Sequence, residues 1–453
     1  MSRNSTGRGP GITRLSADDL VSLAEDSGPV PMQVGVVVML RTDPDFRPED
    51  VVRSLDARMP GVPRMRQRLI RPALGRGRSF WADDPDFSID RHVRIVRTTG
   101  GPEVALTIAD GLVTTPLPRD RPLWAARLVV GLDDGRTAAL IFATHHVMAD
   151  GISGMELLRG LADGPPPVAD QAFPRPLPTG PALLADSLRE ALRWWRRLPH
   201  TVRLMLAELD LLRASRRPPI PVSSLNRPVG PRRRSATVSV DLTEARRAAR
   251  GAGATVNDLV LTAIARALGA LLATRGESAD EFVMSVLFAT PRSGPAGVPG
   301  NRSGAVPIAI PTTGDPYERL RIVAGRTAAV KRRHRAALNS LLGPLTRLLA
   351  GLGIFPWIAG RQRFIHTIVS SLRVPGRLTI AGREVTGIIP LSVATGNITV
   401  VFTSLAYEGR VTVAIMADRD ACPDLDTLRD GLAAALAELV ALPGPAVEYR
   451  GAD

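Results

Sequence analysis

Apolar residues recur along this chain with two periods, and the switching between them lays out the elements. Val34 to Leu40 (VGVVVML) is an unbroken apolar run of strand length, the pattern of a strand covered on both faces. Pro48 to Met59 has helical spacing and opens on a proline that suits a first helical turn. Trp124 to Val130 and Thr137 to Thr144 read as paired strands joined by a DDG turn at Asp133–Gly135. In the second half, Ser235 onward (SATVSVDL) reads as a strand and Thr243–Arg250 as a short helix. A longer helix is expected over Thr255–Ala273, where Val256, Leu259, Val260, Ala263, Ile264, Ala267, Leu268 and Leu271 share one spacing. Strands at Phe282–Ala289 and Ala305–Ile310 precede helices to about Gly360. Strands at Phe364–Ser371, Ile398–Ser404 and Val411–Met416 then lead to a closing helix, Leu425–Leu442.

Both halves are therefore α+β. Asp163 to Pro181 contains seven prolines and reads as a linker. Leu183–Arg213 is strongly helical, with Trp194 and Trp195 set among Arg189, Arg193, Arg196, Arg197 and Arg203. This helix either packs across two lobes with a solvated basic face or docks on an anionic membrane. A second Pro/Arg-rich connector, Arg216–Arg234, follows. The expected division is a first lobe over 1–162, a linker with a crossover helix over 163–234, and a second lobe over 235–453.

Length and charge narrow the classes. A chain of 453 residues can bury about two or three cores. The net charge of +14 invites a nucleic-acid reading, yet Lys331 is the only lysine among 58 basic residues. No zinc-finger spacing, RNP motif or basic zipper is present, so specific nucleic-acid binding is not expected. The charge suits a polyanionic co-substrate or an anionic lipid surface. Cys422 is the only cysteine, which excludes an internal disulfide and a thiolate metal cluster. The N-terminal stretch lacks a signal-peptide core and reads as a cytosolic tail. Leu341–Gly360 is apolar and long enough to span a bilayer, but Pro344, Pro356 and four glycines interrupt it, favouring a buried or membrane-surface helix pair.

The chemistry concentrates in HHVMADG, residues 145–151, which holds two of the six histidines. The pair stands where a strand ends and the chain turns, so a rigid element holds a group that stays reachable. Neighbours on a strand face opposite ways, which argues against His145 and His146 sharing a metal, and there is no HExxH pattern. No metal is expected. A neutral imidazole near pH 7 can instead take a proton from a hydroxyl that attacks an activated acyl group. One histidine would face a cavity and the other pack behind it. Asp150 is expected to hold the loop through an ion pair or backbone bonds, and Gly151 to allow a sharp turn or close approach. There is no GxSxG elbow, and Cys422 lies in a polar loop, so a covalent route is disfavoured.

HHxxxDG with its flanks resembles the bacterial wax ester synthase/diacylglycerol acyltransferase family, within the coenzyme A-dependent acyltransferase superfamily that includes chloramphenicol acetyltransferase and peptide-synthetase condensation domains. The likeness extends through LSADDL…PMQVG (from Leu15), PRMRQRL (from Pro63), FWADDPDFSIDRHV (from Phe80) and RPLWAARLVVGLDDGR (from Arg121). It continues in TVNDLVLTAIARAL (from Thr255), Gly300–Asn301, YEGRVTVAIMAD (from Tyr407) and CPD (from Cys422). It implies two chloramphenicol-acetyltransferase-like lobes, with mixed sheets flanked by helices, a helical crossover and an interlobe tunnel. It implies His146 as the general base and His145 as its support, with Asp150 and Gly151 shaping the loop. Asn257 and Asp258 match the family's ND motif, and Trp124 its PLW segment; without the resemblance, the ND pair reads as helix-capping residues.

The implied partners are acyl-CoA, as a co-substrate and not a permanent cofactor, and diacylglycerol or a long-chain alcohol. The implied location is cytoplasmic, with the inner membrane face or a lipid droplet as a surface. Two other functions compete: acylation of a specialised metabolite, including from a carrier-protein thioester, and a non-catalytic lipid-binding homologue. Departures from the family pattern at Gln33, Ser370–Arg377 and Leu405–Gly409 bear on the acceptor more than on acyl transfer.

Overall fold

The computed structural model describes residues 12–26, 31–73, 75–149, 151–165, 168, 170, 172–214, 220–221, 223–289, 303–334 and 354–444. Its first half contains α1 (Ala17–Glu25), β1 (Gln33–Arg41), α2 (Pro48–Arg58), β2 (Gln67–Ile70), β3 (Phe80–Asp83), β4 (Val93–Gly100), α3 (Pro102–Thr114), β5 (Trp124–Leu132), β6 (Thr137–His145) and α4 (Gly151–Leu161). The crossover helix α5 (Gly180–Ala214) leads to β7 (Arg233–Asp241), α6 (Leu242–Gly251), α7 (Val256–Thr274), β8 (Glu281–Ala289), β9 (Ser303–Pro311) and α8 (Pro316–His334). The chain continues with α9 (Phe355–Ala359), β10 (Thr367–Arg373), β11 (Thr379–Ile380), β12 (Arg383–Leu391), β13 (Val400–Tyr407), β14 (Arg410–Asp418) and α10 (Leu425–Val440).

Two six-stranded sheets, ordered β11-β12-β1-β6-β5-β4 and β7-β14-β13-β10-β8-β9, form the two lobes. Both are mixed: β4 pairs parallel with β5, and β10 pairs parallel with β13 and β8, while the other ladders are antiparallel. The apolar run of β1 is explained by its two covered faces. Val36, Val38 and Leu40 enter the core shared with α2 and α4, whereas Val37 and Met39 enter the core shared with α3. The DDG hairpin turn between β5 and β6 has left-handed backbone at Asp133, Asp134 and Gly135.

A division at residue 235 does not separate the sheets. β11 and β12, from the second half, complete the first sheet through antiparallel pairing of β12 with β1. Gly387 and Pro390 obscure the strand character of this segment. Arg233 and Arg234, assigned to the linker, already belong to β7. The lobes also share core: Val401 and Met416 of the second sheet lie in the cluster with Val37 and Ile141 of the first. Across the same seam, Asp110 on α3 accepts hydrogen bonds from the Ser235 backbone N–H (2.8 Å) and hydroxyl (2.5 Å).

α7 is apolar on nearly every side because it is buried among α10, α6 and α8. It is long and apolar enough to cross a bilayer, but 67% of that stretch is buried within the protein. Most of Leu341–Gly360 lies outside the described residues; its last part forms α9.

Candidate active site

The β1–β6 ladder delivers the histidine pair. Gln33 stands opposite His145, whose backbone N–H donates to Leu123 O (2.9 Å). The chain then turns: His146 N–H donates to Met32 O (2.7 Å) and Met148 N–H to His145 O (2.8 Å). His145 is buried, His146 partly exposed.

Inside the protein, Nδ1 of His145 is hydrogen-bonded and Nε2 is buried beside a carboxylate. Nδ1 accepts from Val147 N–H (3.1 Å), so in the neutral ring the proton sits on Nε2. Nε2 lies 3.2 Å from Asp26 Oδ2. Asp26 caps the C-terminal end of α1 and also accepts from Met32 N–H (2.8 Å) and from Arg119. Burial pushes the Asp26 carboxyl up, but His145, the Met32 N–H and Arg119 outweigh it, and its pKa settles below the ordinary carboxylate value. Burial pushes the neighbouring Glu25 up to about 7. One carboxylate thus holds the ring of His145 and, through Met32, the backbone strut that accepts the His146 N–H.

Asp26 was not anticipated from the sequence. Asp150, expected to stabilise the loop, lies outside the described residues, as do Gly300 and Asn301. Gly151 opens α4, and a Cβ there would lie 3.3 Å from a Leu372 methyl, so glycine permits the close approach of α4 to β10. At the far end of the same helix, Arg159 donates to Pro375 O (2.6 Å). The atypical Ser370–Arg377 segment therefore runs along the helix that follows the histidines.

The ND pair divides its work. Asp258 is buried and makes a capping box with Thr255. Its Oδ1 also accepts from Thr327 on α8 (2.8 Å), so Asp258 is a structural tie. Asn257 Oδ1 accepts from Ser371 Oγ, which in turn accepts from Ser404 Oγ (2.9 Å). Consecutive β10 residues, Ser371 and Leu372, thereby connect the ND helix to the helix after the histidines. Trp124 is a core residue: its ring stacks on His92 at 4.3 Å, and Nε1 donates to Met65 O (2.8 Å). Gln33 Nε2 donates to Thr115 O (2.8 Å) and Val113 O (3.2 Å), anchoring β1 to the end of α3. Cys422 is buried, and burial together with Asp424 pushes its thiol up to about 12, unsuited to a nucleophile.

Two mixed-sheet lobes with a histidine pair at the end of β6 form the two-lobed fold found in wax ester synthase/diacylglycerol acyltransferase and condensation-domain structures. The wax ester synthase/diacylglycerol acyltransferase catalytic domain matches residues 15–260, and the C-terminal domain of the same family matches residues 299–440. The chain belongs to this acyltransferase family. Among its relatives are two Mycobacterium tuberculosis proteins that bear the name diacylglycerol O-acyltransferase. One is 28% identical over 96% of this chain and 98% of its own, the other 31% identical over 87% and 88%. In three dimensions the chain is similar to the wax ester synthase/diacylglycerol acyltransferase of Marinobacter aquaeolei VT8, with a TM-score of 0.68 at 22% identity over 94% of this chain and 98% of that one. It also resembles the starter condensation domain of rhizomide synthetase in complex with C8-CoA, with a TM-score of 0.62 at 14% identity over 96% of each chain.

Proposed function

We propose that this protein moves a fatty acyl group from acyl-CoA to the hydroxyl of diacylglycerol or a long-chain alcohol, with His146 as general base. The observation that carries the role assignment is that the His145 ring is held inside the protein, its Nδ1 bonded by Val147 N–H and its Nε2 buried 3.2 Å from Asp26 Oδ2. This supports His145 as an anchor and His146, one residue further at the turn, as the base. In the reaction, the imidazole takes the acceptor's proton as its oxygen attacks the thioester carbonyl. The tetrahedral intermediate collapses, the carbon–sulfur bond breaks, and the coenzyme A sulfur takes the proton back from the imidazolium. No covalent acyl-enzyme is needed, in keeping with the buried Cys422. The acyl-CoA donor is supported by the C8-CoA complex of the structurally similar condensation domain, and the lipid acceptor by the names of the mycobacterial and Marinobacter relatives. The two substrates would meet in a tunnel at the seam between the lobes.

The test incubates purified protein with radiolabelled long-chain acyl-CoA and, separately, diacylglycerol and a long-chain alcohol. Labelled ester is expected, and His146→Ala should form it at least about a hundredfold more slowly. Absence of ester with every lipid alcohol would overturn the lipid-acceptor reading; an unchanged rate in His146→Ala would remove His146 from the mechanism. The condensation-domain likeness favours a second reading, acylation of a specialised metabolite from a carrier-protein thioester. It predicts product only when such donors and acceptors replace the lipid pair.

A further inference from the structure

The crossover helix α5 has a face that the other described residues leave uncovered. Its N-terminal half docks on the first lobe through one side: Leu183 is buried, Arg14 pairs with Asp186 (2.7 Å), and Arg78 pairs with Glu190 (2.8 Å). Leu184, Leu188, Leu192 and Trp195 lie at helical spacing on another side, all exposed, at 48%, 58%, 60% and 64%. At roughly 100° per residue, this stripe points away from the docked side. Arg189, Arg193 and Arg196 each directly follow a stripe residue and are also exposed, forming a cationic row along its edge. Asp186 and Glu190 are the only acidic residues between 180 and 203, and both are taken up by arginines of the lobe. The outward surface of this segment is therefore apolar and cationic with no negative charge. Trp194, exposed on the flank, sets its ring edge-on to Trp195 at 5.4 Å. Indole rings of this kind settle at the headgroup level of a lipid surface.

We infer that α5 is the docking surface of this protein for an anionic lipid interface, with Leu184, Leu188, Leu192 and Trp195 entering the acyl boundary and Arg189, Arg193 and Arg196 meeting lipid phosphates. A soluble protein gains nothing by exposing four large apolar side chains in register, and a neutral apolar partner would not account for the arginine row. The inference extends the lipid-acceptor reading by naming where the protein meets its acceptor's phase. It is scored without any acyl donor, so vesicle binding and ester formation succeed or fail separately.

The experiment sediments the full-length protein with vesicles of phosphatidylcholine alone or with about a third phosphatidylglycerol. Binding to the anionic vesicles is expected to be at least about tenfold tighter and to weaken with added salt. The Leu188→Gln/Leu192→Gln/Trp195→Gln variant should lose about tenfold or more of that binding. The Arg189→Gln/Arg193→Gln/Arg196→Gln variant should lose the preference for anionic vesicles while retaining a cooperative melt. The inference is overturned if the unaltered protein sediments with neither vesicle, or if both variants bind as it does. It is equally overturned if the stripe instead holds a dimer that the apolar variant dissociates, without vesicle binding.

Discussion

Asp26 is the residue on which the geometry of the histidine turn converges. Its carboxylate faces Nε2 of His145 and accepts the Met32 N–H, while Met32 O accepts the His146 N–H. Asp26→Asn would keep an acceptor for Met32 but turn an amide N–H₂ toward the Nε2 proton, setting donor against donor. We expect kcat to fall about tenfold with little change in KM, because His146, the proposed base, is displaced while the substrate surfaces remain. Steady-state kinetics with acyl-CoA and a lipid alcohol measure this, and an unchanged kcat would deny Asp26 a positioning role. The pair itself is legible in the sequence as HHVMADG, but Asp26 is not. It lies at the end of the first helix, distant in the chain from the histidine pair, in a stretch whose composition announces only a helix terminus. Trp124 was recognisable as part of a motif, yet only its stacking on His92 assigns it to the core.

Among the elements, β12 does the most to join the halves. Tyr407, at the end of β13 in the second sheet, accepts from Leu378 N–H (3.0 Å) and donates to Val385 O in β12 (3.0 Å). Tyr407→Phe removes both bonds and leaves a buried carbonyl short of this donor, a loss of about 1–3 kcal/mol. Urea denaturation should show a lower midpoint with an unchanged slope; a midpoint equal to that of the unaltered protein would mean that the strand is held by its ladder and packing alone. The altered LAYEG sequence retains the tyrosine that makes this connection. Most helices and strands were readable from periodicity, including α7 and the β5–β6 hairpin. β12 was not, because Gly387 and Pro390 break its pattern and its partner β1 lies in the other half of the chain.

At the scale of the whole molecule, a shared core and a sheet drawn from both halves favour unfolding as one unit. His366 then reports on the entire transition. It is buried beside Phe282, its Nδ1 accepts from Val283 N–H (3.0 Å), and burial pulls its pKa down to about 4. The unfolded chain takes up this proton near pH 6.5 and the folded protein only near 4, so stability is full above 6.5 and declines as pH falls toward 4. The decline amounts to roughly 2–3 kcal/mol from this group. His366→Asn, which keeps an acceptor for Val283, should flatten that part of the profile. Parallel melts between pH 4 and 7 test it, and equally steep profiles would show that His366 does not contribute. By itself, the sequence determined the α+β class, the crossover helix and the histidine motif, since local periodicity and short-range spacing are written in consecutive residues. The tertiary structure alone decided that β12 crosses to the first sheet, that Asp26 anchors His145, and that the stripe on α5 faces outward. Each of these depends on contacts between segments distant in the chain, and pairing at that range leaves no periodic trace in either segment.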